Sequence, residues 1–207
     1  MREDPGWRGL LFLTALAFGL WFWAFAVPEG NFWIKISLSA AVLATLSRLL
    51  QRDLSLSFRF ATRDLILGLC AAAILYLIFM IGRTISLHLF GFARGQIGGI
   101  YAKGTGTPSW VIALLLFFIT GPSEEIFWRG FLQRGFQKRL GNGTGYLLAT
   151  ALYAGVHICS MNFILVGAAA VAGAFWGALY WRTENLSAVI LSHSIWSTVI
   201  FTTLPLR

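Results

Sequence analysis

The sequence predicts an all-α protein: a polytopic transmembrane helical bundle of about seven spanning helices, within a range of six to eight. Of its 207 residues, 57% are hydrophobic and only 12% are charged, and the mean hydropathy is +0.74. Soluble domains usually carry about twice that charged fraction. Apolar segments recur along the whole chain at lengths near those needed to cross a bilayer. Residues 1–207 therefore form a single integral membrane domain.

The first two predicted spans cover residues 10–27 and 32–50, with the turn Pro28–Asn31 between them. No small-residue cleavage site precedes Pro28, which predicts a retained helix rather than a signal peptide. A basic connection follows, and the third span covers residues 65–81 or continues to 90.

The remaining spans are separated by a glycine-rich segment and by short basic turns. They cover residues 110–132, 146–158, 162–181 and 186–204. Segment 82–109 does not fit a simple span, and an interfacial helix, a re-entrant hairpin and a flexible gate are all compatible with it. In the sixth span, Gly173 and Gly177 have the small-xxx-small spacing that permits close helix contact.

The net charge of +8 comes from basic residues in the connections between apolar segments. A cytoplasmic N-terminus places ten of them inside: Arg2, Arg8, Arg48, Arg52, Arg59, Arg63, Arg134, Lys138, Arg139 and Arg182. Five fall outside: Lys35, Arg83, Arg94, Lys103 and Arg207. This positive-inside pattern predicts a cytoplasmic N-terminus and a protein whose partner is the lipid bilayer, with no nucleic acid. The expected location is the inner membrane of a bacterial or archaeal cell.

The two cysteines, Cys70 and Cys159, are far apart in apolar surroundings. They form neither a disulfide framework nor a thiolate metal site, and the sequence predicts that both are buried as small hydrophobic residues.

Two carboxylates and a guanidinium, Glu124, Glu125 and Arg129, interrupt the fourth span. Charges within a bilayer are costly unless they are paired or functional, so this stretch predicts a functional site. On a helix, Glu125 and Arg129 lie four residues apart on one face and can neutralise each other. Glu124 points about 100° away and is left available for chemistry.

Two histidines on later spans reach a depth similar to that of Glu124. At ~1.5 Å per residue, Glu124 lies about 15 Å from the cytoplasmic end of its span, His157 about 16 Å and His193 about 10 Å. A hydrocarbon core is ~30 Å thick, so all three lie toward its middle.

One carboxylate and two imidazoles are compatible with two hydrolytic chemistries. Glu124, His157 and His193 could hold Zn²⁺ with an open position for water. Alternatively, Glu124 could act directly as the general base on a water molecule. A structural polar cluster or a proton path is the non-catalytic interpretation.

The motifs resemble those of the CPBP family of intramembrane proteases, which includes CaaX-type prenyl-protein endopeptidases and bacteriocin-processing and self-immunity proteins. The similar motifs are Glu124-Glu125-x-x-x-Arg129, Tyr153-x-x-x-His157 and a late His193, and they cover a core of residues 122–197. Tyr153 stands where the family usually has Phe, and Ser197 where it has Asn.

The resemblance implies an endopeptidase that cleaves a peptide bond near a membrane anchor or a hydrophobic C-terminal tail. Glu124 would activate the water, Glu125 and Arg129 would brace it, His157 would share in water activation and His193 would help to stabilise the oxyanion. Within a family described both as metal-dependent and as metal-free, we expect no cofactor here, with zinc as the alternative.

Two non-proteolytic functions also fit the buried polar residues. One is a membrane immunity protein or chaperone that binds a hydrophobic peptide in the same cavity. The other is a proton-coupled transporter, although the hydropathy pattern shows no inverted repeat.

Overall fold

The computed structural model describes residues 6–51 and 61–207, which form eight helices without any strand in these two ranges. The helices are α1 (Trp7–Ala26), α2 (Phe32–Leu50), α3 (Thr62–Leu89), α4 (Ala93–Ala102), α5 (Ser109–Leu140), α6 (Asn142–Val156), α7 (Phe163–Thr183) and α8 (Leu186–Thr203). The predicted all-α bundle is confirmed. Arg2, Arg52 and Arg59 of the predicted basic connections lie outside the described residues.

Six of these helices are long and apolar enough to cross a membrane: α1, α2, α3, α5, α7 and α8. Large apolar side chains point outward from them, including Leu65, Ile66 and Leu77 on α3. Such an exterior suits lipid rather than water. The chain is an integral membrane protein. The predicted fifth span corresponds to α6, which has 15 residues and continues through the 3₁₀ turn His157–Ser160.

Most of segment 82–109 is helical. The helix α3 continues to Leu89, and the ten-residue α4 follows after a short turn. Gln96 fastens α4 to the start of α7, because its carbonyl oxygen accepts from Asn162 Nδ2 at 2.8 Å and its side-chain oxygen accepts from Ile164 N at 2.9 Å. A helix of ten residues is too short to cross a bilayer, which agrees with the prediction that this segment is not a simple span.

The glycines of α7 allow close contact with α6 within the chain. A Cβ at Gly173 would lie 2.8 Å from Tyr153 Cδ1, and a Cβ at Gly177 would lie 2.9 Å from Tyr146 Cε2. The Tyr146 hydroxyl also donates to the carbonyl of Ala174 at 3.1 Å. The close contact predicted from the glycine spacing is confirmed, and it brings Tyr153 against α7.

The predicted burial of both cysteines is wrong. Cys70 is exposed on α3, and Cys159 is half-buried. An apolar neighbourhood in the sequence does not imply a protein interior here, because a spanning helix also presents apolar residues to lipid.

Candidate active site

The carboxylates lie on an irregular part of α5. The α-helical turn Gly121–Glu125 is flanked by two π-helical stretches, Leu115–Thr120 and Ile126–Gln133. Pro122 has no amide N–H and cannot continue the α-helical hydrogen-bond pattern. Short π-helical insertions of this kind are common at functional sites.

A close approach of α8 to α5 occurs at Gly121. A Cβ on this residue would lie 2.5 Å from Ser194 Oγ and 2.9 Å from Ser194 Cα. No other residue type fits there without a shift of the α8 backbone. This approach brings His193 beside the two carboxylates.

Glu125 is the centre of a buried network of charged groups. One oxygen, Oε1, lies 2.9 Å from Arg129 Nη1 and 2.6 Å from His193 Nδ1. A second guanidinium nitrogen of Arg129 donates to the carbonyl of Gly173 at 3.2 Å. A carboxylate only accepts hydrogen bonds, so His193 donates from Nδ1 and its Nε2 is the remaining ring nitrogen. The predicted pairing of Glu125 with Arg129 is present, and His193 is added to it.

Aromatic rings surround this network. The Arg129 guanidinium carbon lies 4.7 Å from the centroid of the Tyr153 ring and 5.7 Å from that of Trp176. The His193 ring stacks on Trp176 at 3.9 Å with an interplanar angle of 17°. Ring faces attract cations, and they keep water away from the ion pair. The sequence analysis did not single out Trp176; its only signal was a large aromatic residue within a Gly- and Ala-rich span.

Glu124 has different surroundings from its neighbour Glu125. It is buried, with 6% of its surface exposed, and Oε2 accepts a hydrogen bond from the Tyr153 hydroxyl at 3.1 Å. Within the described ranges, no cation forms an ion pair with it. Of the two adjacent carboxylates, Glu125 is thus paired with a cation, and Glu124 has no cationic partner in the described ranges.

His157 is oriented by its own helix and by α1. Its Nδ1 lies 2.8 Å from the Tyr153 carbonyl oxygen, which fixes the proton on Nδ1 because a carbonyl only accepts. Trp21 Nε1 donates to His157 Nε2 over 3.5 Å, and the centroid of the Phe25 ring lies 5.8 Å from that of the His157 ring. These residues of α1 were missed in the sequence, because nothing in the first span distinguishes them from ordinary core aromatics.

Glu124, His157 and His193 line one cavity of about 530 Å³. Its walls are otherwise mainly apolar, with Phe25, Phe32 and Trp196 among the lining residues. The structure therefore brings together the three residues that the sequence selected as catalytic. An apolar cavity with a few convergent polar groups is the usual form of a ligand-binding site.

Ser197 also lines this cavity, but its hydroxyl is engaged by its own helix. Ser197 Oγ donates to the carbonyl of His193 at 2.8 Å. The hydroxyl proton is therefore directed along α8 rather than towards Glu124. This geometry gives Ser197 no contact of the kind expected from an oxyanion donor.

A zinc site would need Glu124, His157 and His193 to be gathered as one set of metal ligands. In the described ranges, no three His, Cys, Asp or Glu side chains are gathered as a metal-binding group. Glu124, His157 and His193 share the cavity, but each makes its own hydrogen bond, with Tyr153, Trp21 and Glu125 respectively. These residues do not fit a zinc site as they are arranged.

The fold and the site define a helical membrane protein with a carboxylate–histidine site in an apolar cavity. Residues 105–199, which include all seven predicted site residues, match the family model of type II CAAX prenyl endopeptidase Rce1-like proteins. No curated protein and no solved structure matches the chain. This match covers slightly less than half of the chain and agrees with the resemblance to the CPBP family. It supports an intramembrane endopeptidase at the level of the family.

Replacement of Arg129 by Met is expected to destabilise the fold strongly, because Glu125 would keep a buried charge without its main counter-charge. Removing one partner of a buried ion pair typically costs about 3–5 kcal/mol. Thermal unfolding in detergent measures the loss. The matched control is Arg182→Met at the exposed end of α7, where a change within about 0.5 kcal/mol is expected. Equal unfolding temperatures for the two variants would show that the network does not stabilise the bundle.

Proposed function

We propose that this protein hydrolyses a peptide bond near a membrane anchor or a hydrophobic C-terminal tail, with a water molecule activated by Glu124. The observation that carries the proposal is the unequal environment of the two carboxylates. Glu125 is paired with Arg129 and hydrogen-bonded to His193, while Glu124 lines the cavity and, among the described residues, has only the Tyr153 hydroxyl as its hydrogen-bond partner. A general base needs a carboxylate that is not already committed to a cation.

In the proposed reaction, the Glu124 carboxylate takes a proton from water as the water oxygen attacks the peptide carbonyl. The carbonyl π electrons move to oxygen and give a tetrahedral oxyanion. When this intermediate collapses, the C–N bond breaks and Glu124 returns the proton to the leaving amine. One water is consumed, and the products are a carboxylic acid and an amine. The same residue thus acts first as base and then as acid.

The two histidines assist at different points. With its proton held on Nδ1 by the Tyr153 carbonyl, His157 has Nε2 as its acceptor. To be oriented by this nitrogen, the attacking water replaces the long 3.5 Å hydrogen bond from Trp21 Nε1. His193 uses Nδ1 for Glu125; when Nε2 also carries a proton, His193 donates a hydrogen bond from Nε2 to the oxyanion and keeps that proton. Donors aimed at a developing negative charge are among the strongest catalytic devices of enzymes.

The apolar cavity supports a hydrophobic substrate segment presented from the bilayer. The matched family model is named for prenyl endopeptidases, which supports a lipidated or otherwise membrane-anchored protein as the substrate class. The positive-inside charge distribution supports a cytoplasmic N-terminus, and the location that we propose is the inner membrane of a bacterial or archaeal cell.

A non-catalytic function as an immunity protein or chaperone is the second candidate. It is favoured by the hydrogen bond of Ser197 to its own helix, because the position that usually holds Asn in the family then offers no donor to an oxyanion. The same cavity would bind a hydrophobic peptide without cleaving it.

Protein termini in membranes provide the direct test of proteolysis. A strain lacking the gene is complemented with the wild-type protein or with Glu124→Ala, and Glu29→Ala serves as a control because Glu29 is an exposed carboxylate in the α1–α2 turn. New termini are expected with the wild type and Glu29→Ala only, since Glu124 activates the water. Identical termini in all samples, with the phenotype rescued by each protein, would favour the non-catalytic function.

Replacement of Tyr153 by Phe is expected to lower kcat about three- to tenfold, because it removes the one hydrogen bond to Glu124 at a cost of about 1 kcal/mol. The fold should remain, since Phe is usual at this position in the family. Tyr146→Phe is the control: it removes a hydroxyl from the same helix that bonds to Ala174 instead. A kcat unchanged by Tyr153→Phe would contradict the role of this hydroxyl.

Strong chelators are expected to leave the activity intact, because the proposed base is a carboxylate and the cavity does not gather a metal-ligand set. Activity before and after exhaustive dialysis against chelator is the measurement. Elemental analysis of the purified protein accompanies it. Stoichiometric zinc whose removal abolishes activity would overturn the metal-free mechanism.

A further inference from the structure

A lysine lines the active-site cavity beside two aromatic residues that flank the α1–α2 turn. Lys103 follows directly after α4 and is one of the residues that line the cavity. Its Nζ lies 4.8 Å from the centroid of the Phe32 ring and 5.2 Å from that of Phe25. The two rings cover the ammonium and exclude part of its water.

Lys103 has no acidic partner in the part of the chain that the structure describes, and the nearby Lys35 shows the difference. Lys35 Nζ donates to the carbonyls of Val27 at 2.5 Å and Trp23 at 3.3 Å, so it is satisfied by the end of α1. Partial burial and the charge of Lys35 lower the pKa of Lys103. The ammonium of Lys103 is therefore held in the cavity without a counter-charge.

A second cation lines the same cavity from α3. Arg83 donates from Nη2 to the carbonyl of Arg207, while its Nε is buried with no hydrogen-bond partner in the described ranges. Among the described lining residues, Glu124 is the one carboxylate. The cavity thus contains one carboxylate, two cationic side chains and mainly apolar walls.

The distance between Lys103 and His157 suits a short peptide segment. The Phe25 ring lies 5.8 Å from the His157 ring and 5.2 Å from Lys103 Nζ, so the ammonium is at most about 11 Å from the imidazole. An extended chain advances ~3.3–3.6 Å per residue. A few residues therefore span the distance from His157, which shares the cavity with Glu124, to Lys103.

We propose that Lys103 binds the C-terminal carboxylate of the peptide whose scissile bond lies at Glu124. The assignment rests on the proposed function, and it makes Lys103 a specificity-determining residue. It gives the substrate a direction: the fragment that leaves as the amine extends towards Lys103, and its side chains lie against the apolar walls. A charge-assisted contact between an ammonium and a carboxylate is strong where rings exclude water.

A peptide carboxylate fits this position better than a lipid phosphate. Lys103 lines the same cavity as Glu124 and is separated from His157 by a single ring. A headgroup bound there would occupy the space that the substrate needs beside the catalytic residues. A terminal carboxylate belongs to the substrate itself and leaves that space filled by the peptide.

The test measures binding to the full chain carrying Glu124→Gln, in nanodiscs of neutral phosphatidylcholine. The probe is one fluorophore-labelled apolar peptide made in two forms, with a free C-terminal carboxylate and with a C-terminal amide. Loss of a hydrogen bond to a charged group costs about 1.5–3 kcal/mol, so the acid is expected to bind roughly ten- to a hundredfold more tightly than the amide.

Lys103→Met is expected to weaken binding of the acid to the level of the amide and to leave the amide unchanged, which also shows that the cavity is intact. Lys103→Arg should keep most of the preference. The matched control is Arg94→Met, because Arg94 lies on α4 and lines a neighbouring pocket rather than the active-site cavity. This control should keep the full preference, which separates a specific contact from a general effect of positive charge.

Equal affinity for acid and amide in the parent protein overturns the proposal whether or not the Lys103 variants fold. So does a preference that survives Lys103→Met, or the absence of binding by both peptides. Weaker binding of an anionic lipid in Lys103→Met, with no acid preference, assigns the cation to a phosphate instead. Because the assay needs no turnover, a clear acid preference in a protein that never cleaves would refute the proposed function alone.

Discussion

The neutralisation of Glu125 inside the bundle is the constraint on which the rest of the site depends. An ionised carboxylate in an apolar interior is strongly unfavourable unless hydrogen bonds and counter-charges compensate it. Here Arg129 and His193 converge on a single oxygen of Glu125, and Arg129 continues to a backbone carbonyl of α7. One ion pair within α5 is thus extended to α7 and α8, and the three helices can meet only in the arrangement that satisfies it.

This arrangement determines what remains available for chemistry. With Glu125 turned towards α7 and α8, the next residue back along α5 faces the cavity and the Tyr153 hydroxyl. His193 is committed to Glu125 through Nδ1, and His157 to its own helix through Nδ1. His193 therefore keeps Nε2 as the nitrogen that is not used by its bond to Glu125, whereas His157 Nε2 accepts the 3.5 Å hydrogen bond from Trp21. The groups that make structural contacts and the groups proposed for chemistry therefore lie next to each other in the same site.

Close helix approaches make this network geometrically attainable. Gly121 admits α8 against the carboxylate turn, and Gly173 admits the Tyr153 ring against α7. The π-helical stretches on both sides of Gly121–Glu125 alter the rotation of α5 around that turn. The aromatic residues Tyr153 and Trp176 then enclose the guanidinium. Substitutions at these small residues would therefore act on the site through helix separation.

Much of the site could be predicted from sequence because a charge in an apolar span is conspicuous. This reason singled out Glu124, Glu125 and Arg129. Their helical spacing was enough to predict that Glu125 pairs with Arg129. Trp21 and Trp176 could not be predicted, since an aromatic residue that contacts a histidine has the same sequence signal as one that faces lipid. The hydroxyl of Tyr153 looked like a mild departure from the family pattern, and only the tertiary contact with α5 reveals its bond to Glu124. The prediction that Cys70 is buried was wrong for a related reason, because lipid and the protein interior favour the same apolar residue types.

The division of labour between Glu124 and Glu125 is the central claim, and parallel measurements on Glu124→Gln and Glu125→Gln test it most directly. Each variant is compared with the wild type for peptide hydrolysis and for thermal unfolding in the same detergent. We predict that Glu124→Gln loses hydrolysis and keeps the unfolding temperature, whereas Glu125→Gln unfolds at a clearly lower temperature because Arg129 loses its counter-charge. Hydrolysis that survives Glu124→Gln, or two variants with the same stability and the same residual activity, would contradict the account.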